Sequence, residues 1–284
     1  MRLPAFTLHR PRELDEVLEL LRVHGEDAAI YMGGTELLLL MKLGFAQPGH
    51  LVDAKQIAEL AHLSVLEDQL LIGASVTHRR LERHRDLGLV LPALVSLERR
   101  VANVRVRNVG TLGGNLCFAE PHSDPAVLLT ALEAEVELAS PSGRRWLPIS
   151  QFLLGAFSTA LGPEEVLVRV RVPLPRPGTV VGYERIAFKE RPDAAVAVTR
   201  GPLGARVVVG AVGPRPERVP EAEEQLLHGD LDAAAAAVTA QVEATDTAIG
   251  ADYRAHLAGV LLQRAWAQAA PAEQTDLGAT TPTD

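Results

Sequence analysis

From Ala28 to Met41 the chain reads AAIYMGGTELLLLM, an apolar run, a glycine pair and a second apolar run with almost no interruption. Ala28 to Met32 predicts a buried strand that stops at Gly33 and Gly34, and Thr35 is then positioned to cap a short helix reaching Met41. A strand, a glycine turn and a helix in immediate succession demand a sheet with a helix packed on it. Upstream, Leu14, Val17, Leu18 and Leu21 recur at spacings of three and four behind Pro11, which predicts an amphipathic helix covering that sheet.

Further along, Leu51–Val52, Leu63–Leu66 and Leu70–Gly73 read as short strands, and Thr77 opens a helix to about Glu82. Leu87 to Leu97 reads as one apolar helix, kinked or delayed by Pro92. Asn103 to Asn115 reads as a polar, glycine-rich loop, followed by a helix from Asp124, its expected cap, to Leu132. Ala134, Val136 and Leu138 alternate with Glu133, Glu135 and Glu137, the signature of a half-buried strand. Arg144–Leu147 reads as its hairpin partner and Ile149–Leu154 as a short helix. Prolines 173, 175 and 177 suggest a domain boundary near residues 173–178. Beyond it, Val180–Phe188, Ala195–Thr199 and Arg206–Val212 read as strands, and Glu221–Leu227, Leu231–Val242 and Asp252–Trp266 as helices.

The chain has 284 residues, 47% of them hydrophobic and 23% charged, enough apolar material for one large core or two smaller ones. Its formal charge of -8 argues against a nucleic-acid surface. The longest purely apolar runs fall far short of the roughly 20 residues that span a bilayer, and residues 1–12 lack a signal-type apolar segment, so the expected location is cytoplasmic. A single cysteine, Cys117, excludes an internal disulfide and an iron–sulfur cluster held by this chain alone. No HExxH pair occurs, His78 and His84 read as surface or cap residues, and no metal ligand is expected in this chain.

Two glycine-centred segments carry the chemistry. Gly33 and Gly34 after a strand let backbone amides approach a phosphate, with the Thr35 hydroxyl beside them. Arg107 to Asn115, RNVGTLGGN, combines three glycines with Thr and Asn side chains suited to a polar ligand. Neither segment fits the GxGxxG or GxxxxGK[ST] pattern, so the usual Rossmann and P-loop readings fail. Both could converge on the two phosphates of a dinucleotide; two tight structural turns account for the same residues. His122, Ser123 and Asp124 supply the residue types of a hydrolase triad, but adjacent residues seldom align as nucleophile, base and orienter.

In combination, MGGTELLLLMK (Met32–Lys42) and RNVGTLGGNLCFAEPHSD (Arg107–Asp124) resemble the two FAD loops of the medium subunits of carbon monoxide dehydrogenase and related molybdenum hydroxylases, and of the flavin domain of xanthine dehydrogenase. Tyr183, Phe188, Lys189, Arg191 and Asp193 fall in a segment similar to that family's Arg-x-Asp region, and Thr247–Arg264 resembles its final helical signature. The resemblance implies an α+β fold. Residues 1–175 would form a two-subdomain FAD-binding portion of the type shared with vanillyl-alcohol oxidase-like flavoproteins. Residues 176–270 would form a smaller C-terminal domain with an antiparallel sheet and helices, and residues 271–284 a disordered tail.

The resemblance also implies a cofactor site. Gly33, Gly34, Thr35, Glu36 and Leu37 would come from the first loop, and Asn108, Thr111, Gly113, Gly114 and Asn115 from the second. Asp124 would serve the ribityl chain or support a neighbour, and Lys189 would lie toward the isoalloxazine edge. FAD is expected to be noncovalent, since no histidine lies among Gly33 to Leu37. The molybdenum cofactor and [2Fe-2S] clusters are expected only in partner chains, a large molybdenum subunit and a small iron–sulfur subunit, in a dimer of heterotrimers. Electrons would pass from substrate through the partners to FAD and on to a terminal acceptor. An autonomous flavin oxidoreductase and a nucleotide-binding interaction module without redox activity remain as alternatives.

Overall fold

A computed structural model describes residues 2–245 and 250–269. The expected disordered tail and the first residues of the segment 247–264 lie outside the described residues. The chain opens with β1 (Thr7–His9), α1 (Leu14–His24), β2 (Ala28–Tyr31), α2 (Leu37–Leu43) and β3 (His50–Asp53). Its three strands form a parallel sheet in the order β1-β3-β2. Helix α1 buries Leu14, Val17, Leu18 and Leu21, the residues whose spacing marks it in the sequence.

The middle of the chain runs β4 (Leu63–Val65), β5 (Gln69–Gly73), α3 (His78–Glu82), α4 (Arg85–Val90), α5 (Pro92–Glu98), α6 (Val104–Val109), α7 (Leu112–Phe118) and α8 (Asp124–Ala131). It continues with β6 (Glu135–Ser140), β7 (Gly143–Pro148), α9 (Ile149–Phe152), β8 (Leu153–Gly155), β9 (Ser158–Thr159) and β10 (Val166–Pro173). Strands β4-β5-β10-β6-β7 make one antiparallel sheet. A four-stranded antiparallel sheet follows, from β11 (Val180–Ile186), β12 (Ala194–Gly201), β13 (Gly204–Gly210) and β14 (Glu217–Arg218), with α10 (Pro220–Leu227), α11 (Leu231–Thr245) and α12 (Ala251–Gln268).

Strand β12 is buried on both faces. Ala195 and Ala197 join the large core of the preceding segments, while Ala194, Val196 and Val198 join the C-terminal core. A near-continuous apolar run is what a strand between two layers requires. Helix α8 lies against one face of this sheet and α12 against the other. At Gly182 a side chain would collide with the Ala265 carbonyl of α12, and at Gly210 with Val127 of α8, so both helices sit almost on the strand backbone.

Several expectations need correction. Residues 87–97 form two helices rather than one: α4 ends before Leu91, and Pro92, at the first position of α5, lacks the amide that would have joined them. The stretch 103–115 is largely helical, because Asn103 accepts hydrogen bonds from the amides of Arg105 and Val106 and starts α6, and Thr111 accepts from Gly114 and starts α7. Helix α8 is capped by Ser123 rather than Asp124, which lies inside its first turn. Helix α9 ends at Phe152, short of Leu154, where the chain turns into β8. Glu137 is buried on β6 instead of facing water and pairs with Arg144 and Arg169. No helix among the described residues is long and apolar enough to cross a membrane.

Candidate functional site

The first glycine segment follows β2. Gly34 has φ +70, a backbone conformation natural to glycine, and α2 begins at Leu37 with no side-chain cap; Thr35 does not cap it, and Glu36 holds the cap position. The carbonyls of Gly34 and Glu36 accept from Leu38 and Leu40 at 3.1 and 2.9 Å. Among the described residues, however, none of the amides of Gly33, Gly34, Thr35, Glu36 and Leu37 donates to a protein acceptor. Five consecutive open donors at a cleft wall form a concavity suited to an anion.

The second segment spends its amides differently. Gly110 donates to the Val106 carbonyl at 2.6 Å, Leu112 to Val76 at 3.0 Å, Gly113 to Ala74 at 3.0 Å and Asn115 to the Thr111 carbonyl at 2.9 Å. The Gly114 amide donates to Thr111 Oγ1 at 3.1 Å. The two glycines of the pair also differ. A Cβ at Gly113 would lie 2.5 Å from Ala74 Cβ and 2.7 Å from its carbonyl oxygen, whereas at Gly114 it would meet only Thr111 Oγ1, at 2.9 Å. Gly113 therefore permits close packing under the cleft, while Gly114 leaves its surface open. Asn115 is held by Ser123, whose hydroxyl donates to Asn115 Oδ1 at 2.6 Å and accepts from the Ala126 amide at 3.3 Å. Among the described residues, the Asn115 NH2 group has no protein partner.

The two segments touch. A Cβ on Gly33 would stand 2.5 Å from the Val109 carbonyl oxygen and 2.8 Å from Gly110 Cα. Behind the contact, the His78 amide donates to the Gly110 carbonyl at 3.1 Å, and His78 Nδ1 lies 2.8 Å from Glu98 Oε2. Both side chains are buried, so His78 is an internal strut, not a surface or cap residue. His84 does cap α4, accepting from the Leu87 amide at 3.2 Å.

Between the segments lies a cleft of about 510 Å³ whose walls include Gly33 to Leu37, Thr111, Gly113 to Asn115 and Asp124. Met32, Phe118, Leu161, Val166 and Leu167 supply an apolar part. Asn108 and Lys189 are exposed and lie outside the lining. From the Arg-x-Asp segment it is Arg191 that reaches the cleft, 3.2 Å from Glu36 and 3.3 Å from Glu120. Arg191 and Glu120 were absent from the expected site because the sequence gives no spacing that joins them to the glycines. Cys117 also lines the cleft; burial pushes its pKa up to about 12, which keeps it a thiol.

Asp124 is buried at the back. Tyr183 Oη donates to its Oδ1 and Arg185 Nη1 to its Oδ2. Burial pushes its pKa up to about 6 against the pull of Arg185 and Tyr183. The hydroxyl of Ser123 points to Asn115, and His122 Nδ1 lies 2.7 Å from Glu120. These three neighbours thus turn to three different partners, and no hydrolase triad forms.

In this α+β protein, a cleft of this size with open amides on one wall and an apolar part beside them has the layout of a site for a phosphate-bearing organic cofactor. The chain belongs to the family of FAD-binding subunits of molybdenum hydroxylases: residues 4–175 match the FAD binding domain in molybdopterin dehydrogenase, and residues 203–269 the CO dehydrogenase flavoprotein C-terminal domain. The carbon monoxide dehydrogenase medium chain of Hydrogenophaga pseudoflava is 34% identical over 94% of this chain and 99% of its own length. The nicotine 6-hydroxylase medium subunit of Paenarthrobacter nicotinovorans is 30% identical, over 93% and 97%. The crystal structure of quinoline 2-oxidoreductase from Pseudomonas putida 86 superposes with a TM-score of 0.88 at 31% identity, covering 95% of this chain and 98% of that one.

Proposed function

We propose that this chain is the electron-exit subunit of a molybdenum hydroxylase, taking electrons from iron–sulfur clusters of a small partner and delivering them to a terminal acceptor. Substrate oxidation would occur on a large molybdenum subunit, in a dimer of heterotrimers. The observation that carries the reading is the row of open amides from Gly33 to Leu37, facing the cleft beside the Asn115 NH2 group. These donors would hold the FAD pyrophosphate, with Thr35, Thr111 and the open surface of Gly114 around it. The apolar residues would exclude water from the isoalloxazine ring, and Arg191, bridging Glu36 and Glu120, would close the cleft. Bound FAD supplies a centre that can accept single electrons and release them singly or in pairs. With no histidine among Gly33 to Leu37 and Cys117 held as a thiol, the flavin would be bound noncovalently.

Relatives named for carbon monoxide, nicotine and quinoline match this chain at 34, 30 and 31% identity, which supports substrate choice by a partner. The test is a complex reconstituted with Gly114→Val. Substrate should still bleach the metal-centre absorbance at the normal rate, while turnover with the terminal acceptor is lost in proportion to missing flavin. Full acceptor turnover without FAD would overturn the electron-exit role, and organic-substrate oxidation by the isolated chain would favour an autonomous flavin oxidoreductase. Denaturation should release all the flavin from the polypeptide.

A further inference from the structure

His9, His24 and His50 come together from three elements. His50 begins β3 opposite Thr7 of β1, and His9 follows two residues later on the same strand face; His24 is the last residue of α1. His9 Nε2 lies 2.8 Å from His50 Nδ1, and one nitrogen from each of the three rings falls within 4.8 Å of the other two. The His24 and His50 rings stack at 3.6 Å between centroids with 16° between planes, so ligation of one ion would require one ring to rotate out of the stack. All three are half-buried.

A carboxylate stands behind them. Asp27 Oδ2 is 3.8 Å from His50 Nε2, the nitrogen that faces away from His9. The Gly49 amide donates to Asp27 Oδ1 at 2.7 Å, and a side chain at Gly49 would collide with that carboxylate, 2.5 Å from its Oδ2. At 3.8 Å this carboxylate is a neighbour of His50 and not yet a hydrogen-bond partner; a small ring rotation on ion binding would bring it into the place from which carboxylates orient metal-ligating imidazoles. The C-terminal end of α1, at His24, adds a favourable field for a cation.

We propose that His9, His24 and His50 form a binding site for a borderline divalent transition ion of the Zn²⁺ type, with Asp27 orienting His50. Three neutral imidazoles select such ions over Mg²⁺ or Ca²⁺, and partial exposure leaves a fourth position to water. The site lies away from the flavin cleft. In the parallel register Ala28 is opposite His50 and Tyr31 opposite Asp53, so the histidines gather near the start of β2 while Gly33 follows its end. The ion would tie β1, α1 and β3 together and need exchange no electrons. The sequence shows none of this, because the three histidines are far apart and on elements of different kinds.

The test uses the untagged, chelator-stripped, full-length chain loaded with FAD. Zn²⁺ titrated by calorimetry should bind at one equivalent with a Kd on the order of micromolar or tighter, and Co²⁺ should give the intense visible bands of a four- or five-coordinate site. Zinc should raise the thermal midpoint. His9→Gln, His24→Gln and His50→Gln should each weaken binding more than about tenfold, and Asp27→Asn by less, while His228→Gln should leave it unchanged. If a strand variant fails to fold, His24→Gln at the helix end and the wild-type Co²⁺ spectrum still decide. No saturable uptake below millimolar Zn²⁺, or uptake indifferent to these substitutions, overturns the site.

Discussion

The two glycine segments look alike in sequence and are built on opposite principles. In the first, Gly33 to Leu37 leave five amides open and the structure spends nothing to satisfy them. In the second, from Gly110 to Asn115, all amides but that of Thr111 are committed to Val106, Val76, Ala74 and Thr111, and the segment meets the cleft with side chains and the bare surface of Gly114. The lesson is that a glycine-rich motif does not reveal whether its backbone binds a ligand or another part of the protein. Only an account of where each amide donates separates the two.

The largest expected effect is at the contact between the segments. Gly33→Val would drive a branched side chain into the Val109 carbonyl and Gly110 backbone, and FAD affinity should fall about a hundredfold or more, near 3 kcal/mol. Fluorescence quenching titrations measure this, and near-normal affinity would dismantle the proposed cradle. Within the glycine pair the effects should divide. Gly113→Val, facing Ala74, should cost about 2–3 kcal/mol of apo stability in urea unfolding. Gly114→Val would meet only the capping hydroxyl of Thr111 and should cost less, about 1 kcal/mol of apo stability, while weakening FAD about tenfold. The reverse pattern would show that the two glycines have been assigned the wrong way round.

A smaller effect should come from Asp124 behind the second segment. Its carboxyl titrates at about 6 in the folded chain against an ordinary 3.8, so between these values the folded state holds more protons than the unfolded one. Its contribution is therefore complete below about pH 4 and lost as pH rises through about 6, amounting to roughly 1–3 kcal/mol. Asp124→Asn should remove that slope from urea-unfolding free energies measured between pH 4 and 7, and superimposable wild-type and variant slopes would refute it. The smallest change is expected for Asn115→Ala, which deletes one ligand-facing donor and should weaken FAD by about 1 kcal/mol, roughly fivefold. A loss as large as that of Gly33→Val would mean that the second segment, not the first, carries the pyrophosphate.

Strand β2, its glycine stop and α2 were legible because a buried strand and a packed helix both leave long apolar runs. The second segment was not, because α6 and α7 are short and the glycines of RNVGTLGGN suggested a loop, while the capping of Asn103 and Thr111 went unrecognised. The walls of the cleft were largely anticipated: Gly33 to Leu37, Thr111, Gly113 to Asn115 and Asp124 all line it. Asn108 stays outside the lining because it follows Arg107 on α6 with its side chain toward solvent, and Lys189 because the turn between β11 and β12 brings Arg191 to the cleft instead. Neighbours in sequence on a tight turn face different ways, and composition cannot rank them.

The double-sided burial of β12 bears on how the chain is made. Every residue of α8 is buried, from Asp124 to Ala131, and part of its cover comes from β12 and β13. These strands leave the ribosome well after the helix they shelter. During synthesis α8 must therefore wait with apolar surface uncovered and Asp124 without Tyr183 and Arg185. A nascent chain halted before β12 thus exposes apolar surface of α8 that only the C-terminal sheet can cover.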